Sequence, residues 1–348
     1  MKKHVNIPIF IPHVGCPNQC VFCNQRTITG TGMSVGRDIT PEIETVLSGI
    51  ANPSQYDIEI AFFGGSFTGI DRSAMIRLLE TASKYVYSGK VSSIRLSTRP
   101  DYIDTEILDI LEFYRATKVE LGIQSMSDKV LSLSKRGHTA KDSYKACELI
   151  KKYGFELTGQ MMLGLPGSDI EDEIYTAQEI ANMHCDCARI YPTVVFYDTE
   201  LCEMAKNGVY SPITVNEAVS RGAAVYDVFV GAGIKLLRIG LQSTEALVNG
   251  DGVYGGANHS ALGELIEGEY YFRKIMRESD DFLKLAPVNA SAITIYCAPG
   301  EQSKVAGQNK ANKIKLMSYF AANDISIRNI KIIADENIEK NMLKYTVI

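Results

Sequence analysis

The run Val5-Asn6-Ile7-Pro8-Ile9-Phe10-Ile11 leads within a few residues into Gly15-Cys16-Pro17-Asn18-Gln19-Cys20-Val21-Phe22-Cys23. This short apolar strand feeding a cysteine loop sets the reading of the whole chain. The strand signal returns at residues 57–63, 92–97, 117–123, 156–163 and 188–195. Helical periodicity fills the gaps. Thr40 before Pro41 reads as an N-cap with proline at the first helical position, and Ile43, Val46, Leu47 and Ile50 follow at helical spacing. Residues 71–88 put Met75, Leu78, Leu79, Ala82 and Val86 on one face and stop at Gly89. Asp104 opens a helix with Ile107, Leu108 and Leu111 inward, and Thr139 opens one that ends at Gly154. Six β-α units in succession predict a parallel sheet with right-handed crossovers. Ligands of such sheets gather at the carboxyl ends of the strands.

Beyond about residue 200 the rhythm changes. Helices are expected over 216–230 and 260–277, around a glycine-rich stretch at 250–256. The tail then reads as a strand (292–297), a polar turn (299–303), a helix (311–321) and a strand (325–333). The expected division is 1–245 for the main α/β body and 246–348 for a small helical and β-α-β extension.

With 348 residues the chain can bury a sizeable core, and 45% apolar with 22% charged residues is the composition of a soluble globular protein. A net charge of −5 argues against a chain built wholly around nucleic-acid binding, and leaves a local basic patch open. No apolar stretch approaches the roughly 18 residues of a membrane span. The amino-terminal run, broken by Pro8, lacks a cleavage pattern, so a cytoplasmic location is expected. Of eight cysteines, three crowd into positions 16–23, which is metal-site rather than disulfide spacing.

Cys16, Cys20 and Cys23 have the spacing CxxxCxxC. Iron–sulfur clusters usually take four thiolates, so three leave one iron open to another ligand. Zinc is the competing reading, with His13 or the His184-Cys185-Cys187 group as the source of a fourth ligand.

CxxxCxxC with Phe22 just before the last cysteine, in the loop after a first barrel strand, resembles the radical S-adenosylmethionine (SAM) superfamily. Phe62-Phe63-Gly64-Gly65-Ser66-Phe67-Thr68 is similar to its glycine motif. Gly122-Ile123-Gln124-Ser125, Arg136-Gly137-His138-Thr139 and Gln160-Met161-Met162-Leu163-Gly164-Leu165-Pro166-Gly167 extend the likeness. The combination, over residues 5 to 245, resembles the radical domain of the Elongator catalytic subunit and, more distantly, oxygen-independent coproporphyrinogen oxidase. Ser97-Thr98-Arg99-Pro100-Asp101 and Tyr191-Pro192-Thr193 favour the Elongator side.

The resemblance implies an α/β fold, a partial (β/α)6 TIM-like barrel with a small C-terminal α/β extension. It implies a 4Fe-4S cluster on Cys16, Cys20 and Cys23 and SAM chelating the open iron, with reduction giving a 5′-deoxyadenosyl radical. It further places Gly64, Gly65 and Ser66 against the methionine amine, Gln124 and Arg136 at the ribose and carboxylate, and Gln160 against the nucleoside. Ser97 departs from the pattern, since related enzymes usually carry glutamate there. SAM is then held differently at that position, or another group supplies the acceptor. An electron donor such as flavodoxin or ferredoxin is implied. No acetyl-CoA-binding acyltransferase domain is expected in residues 246–348.

The tail offers a clue to the second substrate. Lys304, Lys310, Lys313, Lys315, Arg328 and Lys331 face one acid, Asp324, in this stretch. That run suits an RNA backbone, and equally a solvated helix face. Tyr191, Arg238, His259 and Lys310 are the candidate substrate contacts. Three readings stay open: a radical enzyme acting on RNA such as tRNA, one acting on a small molecule or peptide, and a non-enzymatic metal-cluster protein.

Overall fold

The computed structural model describes residues 3–12, 16, 20–23, 35–242, 245–284 and 290–348. His13, Gly15, Pro17, Asn18, Gln19 and Ser243, all quoted in the sequence motifs or as ligands, lie outside the described residues.

The elements follow in chain order. β1 (Lys3–Ile11), α1 (Thr40–Ser48), β2 (Tyr56–Gly64), α2 (Arg72–Tyr87), β3 (Ser93–Thr98), α3 (Thr105–Phe113) and β4 (Ala116–Gln124) make the first half. Then come α4 (Asp128–Leu133), α5 (Ala140–Lys152), β5 (Glu156–Leu163), α6 (Ile170–Asn182), β6 (Cys187–Pro192), β7 (Val194–Phe196), α7 (Glu200–Lys206), α8 (Val215–Gly231) and β8 (Lys235–Ile239). α9 (Glu245–Asn249), β9 (Val253–Gly256), α10 (Leu262–Lys284), β10 (Ala292–Cys297), α11 (Gln302–Ala306), α12 (Ala311–Ala322), β11 (Asn329–Ala334) and β12 (Leu343–Val347) complete it.

The main sheet has the order β1-β2-β3-β4-β5-β6-β8, and every neighbouring pair is parallel. It is an open, all-parallel partial barrel of the kind expected, with β8 added as a seventh strand to the six expected. Strand alternation explains its two faces. Ile58, Ile60, Phe62, Ile94, Leu96, Val119, Leu121 and Ile123 point outward and are buried under the helices, in one core with Met75, Leu78, Leu108 and Ile150. Each such side chain contributes about 1.5–3 kcal/mol on burial, which is what fastens the helices to the sheet. The alternate residues face inward and are mostly polar or charged.

Helix ends follow local chemistry. Asp71, Asp104 and Asp169 accept backbone N–H bonds at the starts of α2, α3 and α6, and Thr139 with Asp142 forms a capping box on α5. Thr40 is a correction: it is the first residue of α1, the cap position is Ile39, and Asp38 accepts the Thr40 N–H at 3.0 Å. The expected strand over 188–195 is also two strands. Thr193 interrupts it to bond Leu163 O at 2.9 Å, after which β7 turns away to pair antiparallel with β9.

A second apolar cluster joins α8, α10 and the tail, with Tyr271, Ile266, Ile293, Ile295 and Phe320 fully buried. The tail sheet has the order β11-β10-β12, so β12 adds an antiparallel strand that turns the expected β-α-β unit into a mixed three-stranded sheet. Among the described residues no helix is long and apolar enough to cross a membrane.

Candidate functional site

Residues 20–23 of the cysteine loop are tied to the loops at the carboxyl side of the sheet. The Val21 N–H bonds Ser134 O at 3.2 Å, the Leu201 N–H bonds Val21 O at 2.8 Å, and the Cys23 N–H closes a turn on Cys20 O at 3.0 Å. Val21 is buried among Val195, Leu201 and Tyr210, with Phe22 packed beside it. The aromatic residue of the motif thus anchors the loop. Cys16 Sγ lies 3.4 Å from Ser66 Oγ, and Arg136 Nη1 donates to Cys20 Sγ at 3.3 Å.

Gly64 brings the ends of β1 and β2 together. At φ +105° it is in backbone territory that favours glycine, and a Cβ there would sit 2.5 Å from Ile11 O. The Gly65 N–H then bonds Ile11 O at 2.8 Å, and buried Ser66 arrives beside Cys16. Farther along the rim, the β4–β5 register shifts between Gly122 and Gln124, and Gln124 adopts φ +68°. A non-glycine residue held there is strained, a condition that clusters at ligand sites. Arg136 Nη2 donates to Gly122 O at 2.7 Å.

Several buried polar atoms on this rim have no partner among the described residues: Gln124 Oε1, Arg136 Nε, Arg99 Nη1 and His138 Nδ1. Such orphans are costly unless a ligand satisfies them. Arg99 was quoted in a motif but given no role by sequence reasoning. It is 2% exposed and forks onto Asp101 at 2.9 and 3.0 Å. Burial opposes its charge, but Asp101 and the nearby Cys20 and Cys16 hold its pKa above the ordinary value. His138 is pushed down to about 4, first by burial and then by Arg136, so it is neutral at pH 7. The Gly164-Leu165-Pro166-Gly167 stretch has a structural job. Glu173 accepts the Gly164 N–H at 2.7 Å, and Tyr210 Oη donates to Gly164 O at 2.7 Å.

Deeper on the inner face lies a charge network that sequence reasoning missed. Arg95 donates to Glu59 at 2.7 Å, Glu120 at 3.0 Å and Glu156 at 3.1 Å; Lys118 pairs with Glu59 at 2.6 Å, and Arg189 with Glu120 at 2.9 Å. Burial works against the Glu59 charge, yet Arg95 and Lys118 hold its carboxyl below the usual range. Ser97 and Gln160 both donate to Glu120 Oε2, at 3.3 and 2.6 Å. The signal available in the sequence was a polar or charged side chain at every second residue of β3 and β4: Arg95 and Ser97, Lys118 and Glu120.

Half-buried Tyr191 and Arg238 sit near the ends of β6 and β8, with the Tyr191 pKa raised by burial. His259 is exposed and lines a cleft of about 310 Å³ with Pro192, Leu241, Gln242 and Ala257. Gly256, at φ +97° and in close approach to Thr193 O, lets this loop reach the β6 end. Lys310 is exposed in the tail, away from that cleft's lining. Lys304 and Lys315 are paired to Glu267 and Glu269 of α10, which neutralises part of the basic run. Cys185 and Cys187 are buried, and the Cys185 thiol is pushed up by its hydrogen bond to Cys147 and by burial. Among the described residues no three Cys, His, Asp or Glu side chains are placed to hold a metal ion. The loop thiols of Cys16 and Cys20 each rest on their own partner.

A parallel half-barrel with a three-cysteine loop over its carboxyl rim defines the class as a cofactor-dependent α/β enzyme. The family model described as the radical SAM superfamily matches residues 10–180, and the Radical_SAM C-terminal domain matches residues 185–271. The chain belongs to the radical SAM superfamily, whose cofactors are a 4Fe-4S cluster and SAM. It is 35% identical over 190 residues to a tRNA uridine(34) acetyltransferase of Methanocaldococcus jannaschii, covering 52% of this chain and 34% of that protein. An uncharacterized protein of the same archaeon is 29% identical over 229 residues, covering 63% of this chain and 70% of its own length. The solved Elp3 of Methanocaldococcus infernus shares the fold, at a TM-score of 0.62 and 24% identity over 80% of this chain and 64% of that one. The chain thus spans about a third of the acetyltransferase it matches.

The residue types present fit these cofactors. Three cysteines in one loop supply the ligand number of a cluster with an open iron, although here Cys16 and Cys20 rest on Ser66 and Arg136 and do not share one point. The orphaned Gln124 Oε1 and Arg136 Nε offer an acceptor and a donor on the same rim for an amino acid and a ribose.

Proposed function

We propose that the chain holds a 4Fe-4S cluster on Cys16, Cys20 and Cys23 and SAM on the neighbouring rim, and directs the resulting radical at RNA, tRNA first among candidates. When bound and reduced, these cofactors supply a 5′-deoxyadenosyl radical able to abstract a hydrogen atom. The chain's own residues bind, orient and shield. Gly64, Gly65 and Ser66 take the methionine end, Gln124 and Arg136 the ribose and carboxylate, and Gln160 with Ser97 the nucleoside side. An arginine at a carboxylate is supported by the strength of charge-assisted hydrogen bonds. The apolar contacts of Val21 and Phe22 keep water from one side of the loop. His259 in the cleft, with Tyr191 and Arg238 near the ends of β6 and β8, meets the second substrate, and Lys310 meets its backbone.

The observation that carries the RNA reading is the 35% identity of this region to a protein that bears the name of a tRNA-modifying enzyme. The acetyl transfer of that name is not part of the proposal. Flavodoxin or ferredoxin is the proposed electron donor, and a reducing cytoplasm the proposed location, because an open iron in a thiolate loop demands both. A gel shift of tRNA tests the reading. Binding that weakens with salt and on replacing Lys310 and Lys313 by Glu is expected. Absence of any shift at low salt would overturn it in favour of a small-molecule or peptide substrate.

A further inference from the structure

Glu120 lies at the centre of the inner face, 0% exposed, between β3 and β5. Its two oxygens have different company. Oε1 accepts from Arg95 Nη1 at 3.0 Å and Arg189 Nη2 at 2.9 Å, which balances its charge. Oε2 accepts from Gln160 Nε2 at 2.6 Å and Ser97 Oγ at 3.3 Å. Ser97 is paired in register with Glu120, and Gln160 with Gly122 two residues farther along β4, so all three side chains face inward and Gln160 reaches back to Glu120 from one step nearer the rim.

A carboxylate can only accept. With the Glu120 carboxylate paired to two arginines, both other neighbours turn their donors toward it. The Gln160 amide is thereby fixed with its NH2 inward and its Oε1 outward, an orientation otherwise open to a flip. The Ser97 proton is committed in the same way, which leaves its oxygen lone pairs outward. Ser97 and Gln160 are both only half-buried, and neither makes another hydrogen bond among the described residues. The inner wall therefore turns two acceptors outward here, Gln160 Oε1 and the Ser97 oxygen. Such acceptors suit a ligand group rich in donors, such as a primary ammonium or a pair of ribose hydroxyls.

We propose that Glu120 is a positioning residue of the SAM pocket: it sets Ser97 and Gln160 as acceptors for the ammonium or ribose hydroxyls of SAM. The acceptor that Ser97 lacks by itself is thus supplied from the adjacent strand. This rests on SAM being the cofactor held on this rim. An ion network serving stability alone would need Oε1 and its arginines, but would be indifferent to which way the Gln160 amide points.

The test is equilibrium binding of labelled SAM to the anaerobically reconstituted, unreduced protein, with thermal unfolding measured beside it. Glu120→Gln should weaken SAM at least about tenfold, because its amide can donate and no longer dictates the Gln160 orientation. Gln160→Met, which leaves Glu120 with Arg95 and Arg189, should weaken SAM by a similar factor while the melting temperature stays near that of the parent. Adding Glu120→Gln to Gln160→Met should then weaken SAM by clearly less than the product of the two single effects, since they share the Gln160 contact and only the Ser97 contribution is left to lose. Ser97→Glu in the Glu120→Gln background returns an acid to the same layer and should recover most of the affinity. Tight binding by the parent that both Glu120→Gln and Gln160→Met leave within about twofold overturns this inference alone. Failure of the parent itself to bind SAM overturns the cofactor placement, and this inference with it.

Discussion

Two regions of the barrel, both rich in polar side chains, behave in opposite ways. In the deep layer Glu59, Arg95, Lys118, Glu120, Glu156 and Arg189 answer one another, three acids against three bases. At the rim Arg99, Gln124, Arg136 and His138 each keep one buried polar atom without a partner. Both layers are shielded from water, so burial alone does not distinguish them. Satisfaction does: the deep layer is finished within the chain, while the rim keeps polar atoms open to a ligand. That difference separates the part of the barrel that holds shape from the part we propose to hold SAM.

The largest effect on this contrast should come from breaking the deep layer. Arg95→Ala leaves Glu59 and Glu120 buried without their shared cation, and should cost about 3–5 kcal/mol of unfolding free energy in a denaturant titration. A loss under about 1 kcal/mol would mean that the network is solvated and the contrast unfounded.

His138 sharpens the contrast through pH. Its folded pKa, about 4, lies below the ordinary 6.5, so the folded state resists taking up its proton. The contribution stands in full above pH 6.5 and drains as pH falls toward 4, on the order of 3 kcal/mol in total. The parent should therefore lose more stability than His138→Gln between pH 7 and pH 5. Parallel losses in the two proteins would place His138 in contact with solvent.

Arg136→Gln probes the rim itself. Removing a charged donor there should weaken SAM binding by roughly ten- to a hundredfold, with a smaller change in melting temperature than Arg95→Ala produces. If stability falls and SAM affinity does not, Arg136 serves the fold and the rim is not the pocket.

How much of this was legible in the sequence follows from range. Strand 156–163 and the caps at Asp71, Asp104 and Thr139 depend on neighbours a few residues away, and the sequence signals match the observed elements. The rim residues Gln124, Arg136 and Gln160 were picked out through their motifs, but not the αL turn at Gln124 or the bond from Arg136 to Cys20. Glu120 was missed because its partners lie 23 to 69 residues away, and alternating charge in a strand reads locally as a solvent face. The antiparallel β12 was missed as well. Its apolar positions, Leu343, Tyr345 and Val347, alternate correctly, but the strand is short and pairs back onto β10 across the whole tail.

The central claim is that this rim and loop turn SAM into a radical. Its most direct measurement is 5′-deoxyadenosine released after anaerobic reconstitution with iron and sulfide, addition of SAM and reduction with dithionite. The account predicts its formation by the parent chain, and only background from Cys20→Ala, which cannot complete the cluster. No 5′-deoxyadenosine from a parent protein with a fully loaded cluster would contradict it.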